Sequence, residues 1–345
     1  LQASAGAANG MLAFSGCDRL RLDRLRLGSG PGNGLSLENC SGRLVDLDIE
    51  GFAAAAIFAR NSHGLSIDGC SIGNCGDGGI LIWGDGSDRI DGTIVSKNHI
   101  GQIEARSGGN GQNGNGINVF RANGVIVSDN VIDGCAFSAV RLNSTNDTQV
   151  RGNTCLNSGE VAIFSEFAFS GSSIADNIVD GAAQGISITN FNEGGRLASC
   201  TGNIVRNIAP YSAVNPDTVP VGIAAEADTV VSGNVVDTVP GLGIGAGWGP
   251  YLRDVIISDN VIRNVEIGIG VWLILGALTE TAERLRLFRA PLAEAWRRAT
   301  GLPRGAWGMT LAHAGLGLFV LGACVETAYK VEAAAVLPVG GEIAS

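Results

Sequence analysis

Short apolar runs of roughly two to five residues recur from about residue 12 to residue 271, and each is broken by Asn, Asp or Gly. The clearest copy reads Val125-Ile126-Val127-Ser128-Asp129-Asn130-Val131-Ile132, matched by Ser173-Ile174-Ala175-Asp176-Asn177-Ile178-Val179 and Val255-Ile256-Ile257-Ser258-Asp259-Asn260-Val261-Ile262. Runs this short, β-branched and separated by turn formers, predict strands. A third short strand then opens on a Gly-Ile-like dyad. The dyads are Ala56-Ile57, Gly79-Ile80, Gly116-Ile117, Ala139-Val140, Ala162-Ile163, Gly185-Ile186, Gly222-Ile223, Gly243-Ile244 and Gly268-Ile269.

Aligned on the residue between the first two strands, the series runs Cys40, Cys70, Asn98, Asn130, Asn153, Asn177, Asn203, Asn234 and Asn260. A period of roughly 23 to 32 residues is the signature of a solenoid. Three strands per repeat predict an all-β, three-sided parallel β-helix of nine to ten coils over residues 1–271, a stack about 45 Å long at ~4.8 Å per coil. A β-sandwich with Asn- and Gly-rich loops would not demand one residue type at one phase in every unit. Stacking also explains the asparagines Asn98, Asn130, Asn153, Asn177, Asn203, Asn234 and Asn260. An amide in one coil donates to the amide on one side and accepts from the amide on the other.

Composition agrees with tight corners, since the chain holds 52 glycines and coil corners need positive φ. The formal net charge is −10, which argues against a nucleic-acid partner. Such acidity also suits an exported module. Eight cysteines suggest a disulfide framework until they are placed in register, where they read as small buried apolar residues. Cys70 and Cys75 alone are close enough in sequence for a local bridge. With no C-x-x-C or His/Cys ligand spacing, neither a metal nor another cofactor is expected. Leu1 is not followed by a charged and then apolar stretch, so an export signal is not expected within these residues.

The N-x-[VI]-x-[DN] and G-I-x-[IV] phrases resemble the right-handed parallel β-helix repeat proteins, and among them the bacterial twin-arginine-translocated repeat proteins of unknown function. The resemblance covers about residues 1–271. It implies a right-handed, single-stranded, pectin lyase-like helix and a periplasmic or extracellular location, in a superfamily that acts on polysaccharides. Fold alone does not assign an activity.

Candidate chemistry lies along the third strand, where alternate residues point outward. Stacking aligns Phe58, Leu81, Asn118, Arg141, Phe164, Ser187 and Ala224 in one column, and Arg60, Trp83, Phe120, Asn143, Glu166, Thr189 and Glu226 in the next. Trp83, Phe120 and Phe164 offer flat apolar faces to a sugar chain, with Asn118, Asn143 and Glu226 as polar contacts. A lyase-like β-elimination would take Glu166 as base and Arg141 as the cation near a uronate. The same residues also fit an ordinary solvated sheet face. The longest corner, Gly101 to Gly116, either overhangs this face or is a plain Gly-Asn loop. Ser62-His63-Gly64 lacks the paired aspartates of an inverting hydrolase.

The periodicity stops after Val271. Glu280–Arg304 is arginine-rich and amphipathic, and Gly305–Val325 has His313 and Cys324 as its ionisable groups. That second stretch is long enough to span a bilayer as a helix. Leu275-Gly276-Ala277-Leu278-Thr279-Glu280, Leu302-Pro303-Arg304 and Trp307-Gly308-Met309-Thr310-Leu311-Ala312-His313-Ala314-Gly315 resemble the CcmF-type cytochrome c biogenesis and heme lyase membrane protein, over about residues 270–343. The resemblance implies a heme ligand at His313. The tryptophan-rich heme-handling region and most membrane spans of that family are absent. Residues 272–345 are therefore expected as a separate helical, membrane-type segment, joined by genuine fusion or by a chimeric reading frame.

Three functional readings follow. The first is an exported polysaccharide-binding or structural module without catalysis. The second is a polysaccharide lyase-like enzyme using Arg141 and Glu166. The third is a remnant of heme-lyase machinery.

Overall fold

A computed structural model describes residues 10–189, 195–247 and 252–265, together with residues 281–282, 284–287, 291–303, 305–308, 310–312, 314–316 and 318–319. The chain forms two compact units, Leu1–Val265 and Glu266–Ser345.

The first unit is an all-β parallel solenoid of about ten turns. First strands of successive coils, from Leu20–Asp23 to Arg253–Ser258, make a ten-stranded parallel sheet. Second and third strands merge into one eighteen-stranded sheet. They merge because Thr154–Glu166 and Ile178–Thr189 run through the corner between the two faces.

One column shows how register and core formation are linked. Leu35, Ile57, Ile80, Ile117, Val140, Ile163, Ile186 and Ile223 are stacked partners in consecutive coils, and each is fully buried. Burying one such side chain is worth about 1.5–3 kcal/mol, and a one-residue slip would expose the whole column. The small residue before each of them has a steric cause. A Cβ built on Gly79 would lie 2.3 Å from the carbonyl oxygen of Gly116 in the next coil. The dyad is thus the place where two coils approach backbone to backbone.

The ladder is a chain of amides. Nδ2 of Asn98, Asn130, Asn153, Asn177, Asn203 and Asn234 each donates to Oδ1 of the next asparagine at 2.9–3.0 Å. That same Oδ1 also accepts the backbone N–H of the preceding ladder residue, as Asn153 Oδ1 does from Asn130 at 3.0 Å. The residue just before the ladder is left-handed throughout, with φ of 58° at Asp129, 56° at Asp176 and 68° at Gly202. Asp-Asn and Gly-Asn therefore recur because Asp and Gly tolerate that conformation.

The structure corrects the start of the register. Leu44, Ile67 and Val95 are stacked partners, so the ladder position three residues on is Leu47, then Cys70, then Asn98. Cys40 belongs to the corner after the third strand, where its N–H donates to Ser62 Oγ at 3.1 Å. The two sites share a local signature. A left-handed residue, Asn39 at φ 50° or Gly69 at φ 68°, precedes a small buried side chain. A further dyad, Gly34-Leu35, pairs with Ala56-Ile57, and Gly268-Ile269 lies outside the described residues.

Cys17, Cys40, Cys70, Cys75, Cys135, Cys155 and Cys200 are all free thiols, so Cys70 and Cys75 form no bridge. Burial pushes Cys70 up to about 11 and Cys155 to about 12, as expected for thiols serving as core atoms.

In the second unit, helix α1 spans Leu292–Gly301 and begins after Pro291. Proline suits the start of a helix because it has no N–H to leave unpaired. Arg298 Nη2 bonds Glu294 Oε1 one turn back at 2.7 Å. Among the described residues, no helix is long and apolar enough to cross a membrane; the span expected over residues 305–325 lies partly outside them. His313 lies outside the described residues.

Candidate functional site

Both outward columns of the third-strand face stack in consecutive coils. Phe58, Leu81, Asn118, Arg141, Phe164 and Ser187 are successive partners, and so are Arg60, Trp83, Phe120, Asn143, Glu166 and Thr189. The face divides into two chemically different halves.

The half built on later coils is a closed charge cluster. Arg141 Nε and Nη2 donate to the two oxygens of Glu166 at 2.7 and 2.9 Å, and Arg141 Nη1 donates to Glu160 Oε2 at 2.9 Å. Asn143 Nδ2 also donates to Glu166 Oε1 at 2.9 Å. Beneath the guanidinium lies the Phe164 ring, 4.9 Å from its carbon, a cation–π contact. Arg141, Glu166, Glu160 and Phe164 are all buried, with Glu166 only 2% exposed.

Two insertions produce that burial on a face that alternation alone would leave in water. Asn118 Nδ2 donates to the Gln112 carbonyl of the corner between Gly101 and Gly116 at 3.3 Å. From a second insertion, between Ile204–Ile208 and Val221–Ala225, Ser212 Oγ donates to the Gly159 carbonyl at 2.6 Å and Asn215 Nδ2 to Glu160 Oε1 at 2.7 Å. Both insertions lie over the charge cluster. A shallow notch of about 550 Å³ opens beside them, lined by Glu104, Ala136, Asn157 and Ala209 among others; Glu104 there is bonded to Arg106.

The half built on earlier coils is an aromatic ridge. Phe58 and Trp83 meet edge to face with centroids 5.1 Å apart, and Trp83 and Phe120 do so at 5.7 Å. Arg121 lies 5.0 Å from the Phe120 centroid. Arg60 flanks the other end and is paired with Glu38. Phe58, Trp83 and Phe120 are half-buried, so each keeps an outer surface open. Trp83 Nε1 is buried with no hydrogen-bond partner.

Of the residues expected to contact a sugar, the structure leaves Trp83 and Phe120 partly open and Asn143 half-buried. Asn118, Phe164 and Glu226 are covered, Glu226 to 1% exposure. Arg141 and Glu166 share one face, but each engages the other, which leaves the guanidinium turned from solvent and the carboxylate without an open approach for a carbon acid. Sequence reasoning missed Glu160, Asn215, Arg121 and the Glu38–Arg60 pair. One signal pointed to Asn215: the ladder step from Asn203 to Asn234 is 31 residues, against 26 for the step before it. Among the described residues, no cluster of His, Cys, Asp and Glu could hold a metal ion.

A parallel β-helix with an amide ladder, an aromatic ridge and a closed ion cluster is the class of protein these features define. Residues 33–207 match the right handed beta helix region family, and the chain belongs to it. Solved structures of similar fold include an alginate lyase from Paenibacillus sp. str. FPU-7, at 19% identity and TM-score 0.42, covering 68% of this chain and 76% of that one. Another is the catalytic unit of a GH87 alpha-1,3-glucanase from Streptomyces thermodiastaticus strain HF3-3, at 14% identity and TM-score 0.43, covering 68% and 49%. A stretch of 75 residues is 52% identical to the cytochrome c-type biogenesis protein CycK of Bradyrhizobium diazoefficiens, covering 22% of this chain and 11% of that protein. CycK of Rhizobium meliloti is 46% identical over 72 residues, covering 21% and 11%. The chain therefore spans about a tenth of the length of these curated relatives.

Proposed function

We infer that this protein is an exported polysaccharide-binding module whose ligand lies along the ridge Phe58, Trp83 and Phe120, and that it turns nothing over with Arg141 and Glu166. The observation that carries this reading is the ridge itself, three consecutive coils each offering an aromatic side chain with an open outer surface. Sugar rings present apolar C–H faces that pack on aromatic rings, and coil spacing places successive contacts along one chain. Arg60 and Arg121 at the ends of the ridge supply donors for hydroxyl or carboxylate groups. The closed ion cluster supports a structural role for Glu166, because a general base needs an approach to the proton it removes. Export is part of the same proposal.

The CycK-like stretch does not enter this reading. It corresponds to about a tenth of that protein, and the family resemblance carried by residues 270–343 brings no partner for a heme at His313.

Glycan-array binding by the intact chain, followed by affinity electrophoresis on the best ligand, tests the proposal. Binding that falls about tenfold or more in Trp83→Ala, the scale of one lost aromatic contact of ~1.4 kcal/mol, and persists in Glu166→Gln is expected. Binding indifferent to Trp83→Ala, or the release of unsaturated uronates, would overturn it.

A further inference from the structure

An asparagine followed by glycine is open to attack by its own main chain, because glycine has no Cβ to hinder the approach of its nitrogen. The pair occurs at Asn9-Gly10, Asn33-Gly34, Asn110-Gly111, Asn113-Gly114, Asn115-Gly116 and Asn123-Gly124. Asn9 lies outside the described residues. In four of the others both reacting groups are engaged. Asn33 Nδ2 donates to Ser36 Oγ at 3.2 Å, Asn113 Nδ2 to the Gly108 carbonyl at 2.9 Å, Asn115 Nδ2 to the Gly111 carbonyl at 2.8 Å and Asn123 Nδ2 to the Ser87 carbonyl at 2.9 Å. In the same four pairs the glycine N–H donates to the carbonyl of Ala55, Asp77, Ser138 or Asn146, at 2.6–2.9 Å.

Asn110-Gly111 differs on every count. Asn110 is exposed, and its one recorded hydrogen bond runs from its main-chain N–H to Gln112 Oε1 at 3.2 Å. Among the described residues, neither its side-chain amide nor the Gly111 N–H has a hydrogen-bond partner. The carboxamide is therefore free to rotate towards the Gly111 nitrogen. Gly111 has a φ of 123°, and the Arg141 guanidinium lies so close against it that a Cβ there would overlap the side chain. A neighbouring cation stabilises the negative charge that the nitrogen carries once its proton is lost.

We propose that Asn110 is a site of covalent self-modification, converted in the folded chain to aspartate and isoaspartate through a cyclic imide. The Gly111 nitrogen gives its proton to solvent and bonds to Asn110 Cγ. The Cγ–Nδ2 bond then breaks, and Nδ2 takes up a proton and leaves as ammonia. Water next opens the ring at either carbonyl. Cleavage between Cγ and the nitrogen gives aspartate, whereas cleavage of the original peptide bond gives isoaspartate, with the main chain now running through Cβ and Cγ. No electrons are exchanged with any other group. Either product places a new carboxylate next to the residue that Arg141 packs against. Isoaspartate also adds one main-chain carbon just ahead of that contact, in the corner whose Gln112 carbonyl holds Asn118.

Peptide mapping by mass spectrometry tests the proposal, on the full chain held at mildly alkaline pH with one sample folded and one in urea. The readout at each asparagine is the mass change for exchange of an amide NH for O, with isoaspartate resolved from aspartate by its later or earlier elution. In urea the pairs lose their folded partners and are expected to react at comparable rates. In the folded chain Asn110 is expected to react first. Asn33, Asn113, Asn115 and Asn123 are expected to be slower on the order of tenfold or more, since two hydrogen bonds must break before each can react. Asn110→Gln is expected to remove the early product, with circular dichroism establishing that the variant keeps the native fold. If Asn110 stays intact in the folded chain over the time in which it reacts in urea, the proposal is overturned. It is overturned equally if the other four asparagines react as fast as Asn110 in the folded chain.

Discussion

Arg141 is bound to both oxygens of Glu166 across one coil spacing, 2.7 Å from Nε and 2.9 Å from Nη2, with Glu160 taking its remaining donor face. One cation thus serves two buried carboxylates, and Asn143 and Asn215 supply further donors to them. Removing the cation would leave two buried acids without compensation. Arg141→Met is therefore expected to lower the unfolding free energy by about 3–5 kcal/mol. Urea denaturation of the purified variant measures this, and a loss below ~1 kcal/mol would show that water reaches the carboxylates.

The asparagine ladder predicts a gradient along the stack. Asn153 donates to Val127 O and Asn177 Oδ1, and accepts from both nitrogens of Asn130. Asn153→Ala breaks this set inside the core and is expected to cost about 3 kcal/mol. Asn260 ends the described ladder and is half-buried, so Asn260→Ala is expected to cost about 1 kcal/mol. Comparing the two urea midpoints decides the matter: equal losses would mean that the ladder does not gain from its continuity.

Close backbone approach at the dyads predicts which glycines cannot change. A Cβ at Gly79 would meet Gly116 O at 2.3 Å and the Ile100 side chain at 2.9 Å. The dyads at Ala139 and Ala162 hold a methyl group at the same phase, so the coil spacing there is already set for it. Gly79→Ala is expected to destabilise by about 1–3 kcal/mol, whereas Ala139→Gly is expected to cost closer to ~1 kcal/mol through chain entropy and lost packing. Thermal melts of the two variants give the comparison.

How far the sequence carried these conclusions depends on which part of the molecule is considered. The coil was legible because Asn98 through Asn260 must share one phase to bond each other, and because Ile57, Ile80 and Ile117 must share another to be buried. The first coils were misread at Cys40, since a left-handed residue followed by a small buried one occurs at two corners of the coil. The outward columns from Phe58 to Ser187 were legible from alternation alone. What covers them was not. Glu160 reaches Arg141 from a different corner, and Asn215 reaches Glu160 across 55 residues of chain. Whether a carboxylate is an available base or a buried counter-ion is decided by such contacts, which leave no periodic trace.

Asp91 offers a pH-dependent test at a corner of the solenoid outside the candidate site. It is 7% exposed, and burial raises its carboxyl above the ordinary range, against the hydrogen bond from Thr93 and the nearby charges of Arg89 and His63. A carboxyl whose pKa is raised by folding gives its full stability below the unfolded pKa of about 4, and loses it as the pH rises through the folded value. At neutral pH the charged form therefore opposes folding. Asp91→Asn keeps an Oδ1 acceptor for the Thr93 N–H, which Asp91 binds at 3.0 Å, and removes the charge. The variant is expected to be more stable than the native chain at neutral pH, with the difference closing as the pH falls towards about 4. Urea midpoints at the two pH values measure the effect. If the variant is instead the less stable of the two at neutral pH, attraction to Arg89 and His63 outweighs the desolvation of Asp91, and burial is not the dominant influence at this corner.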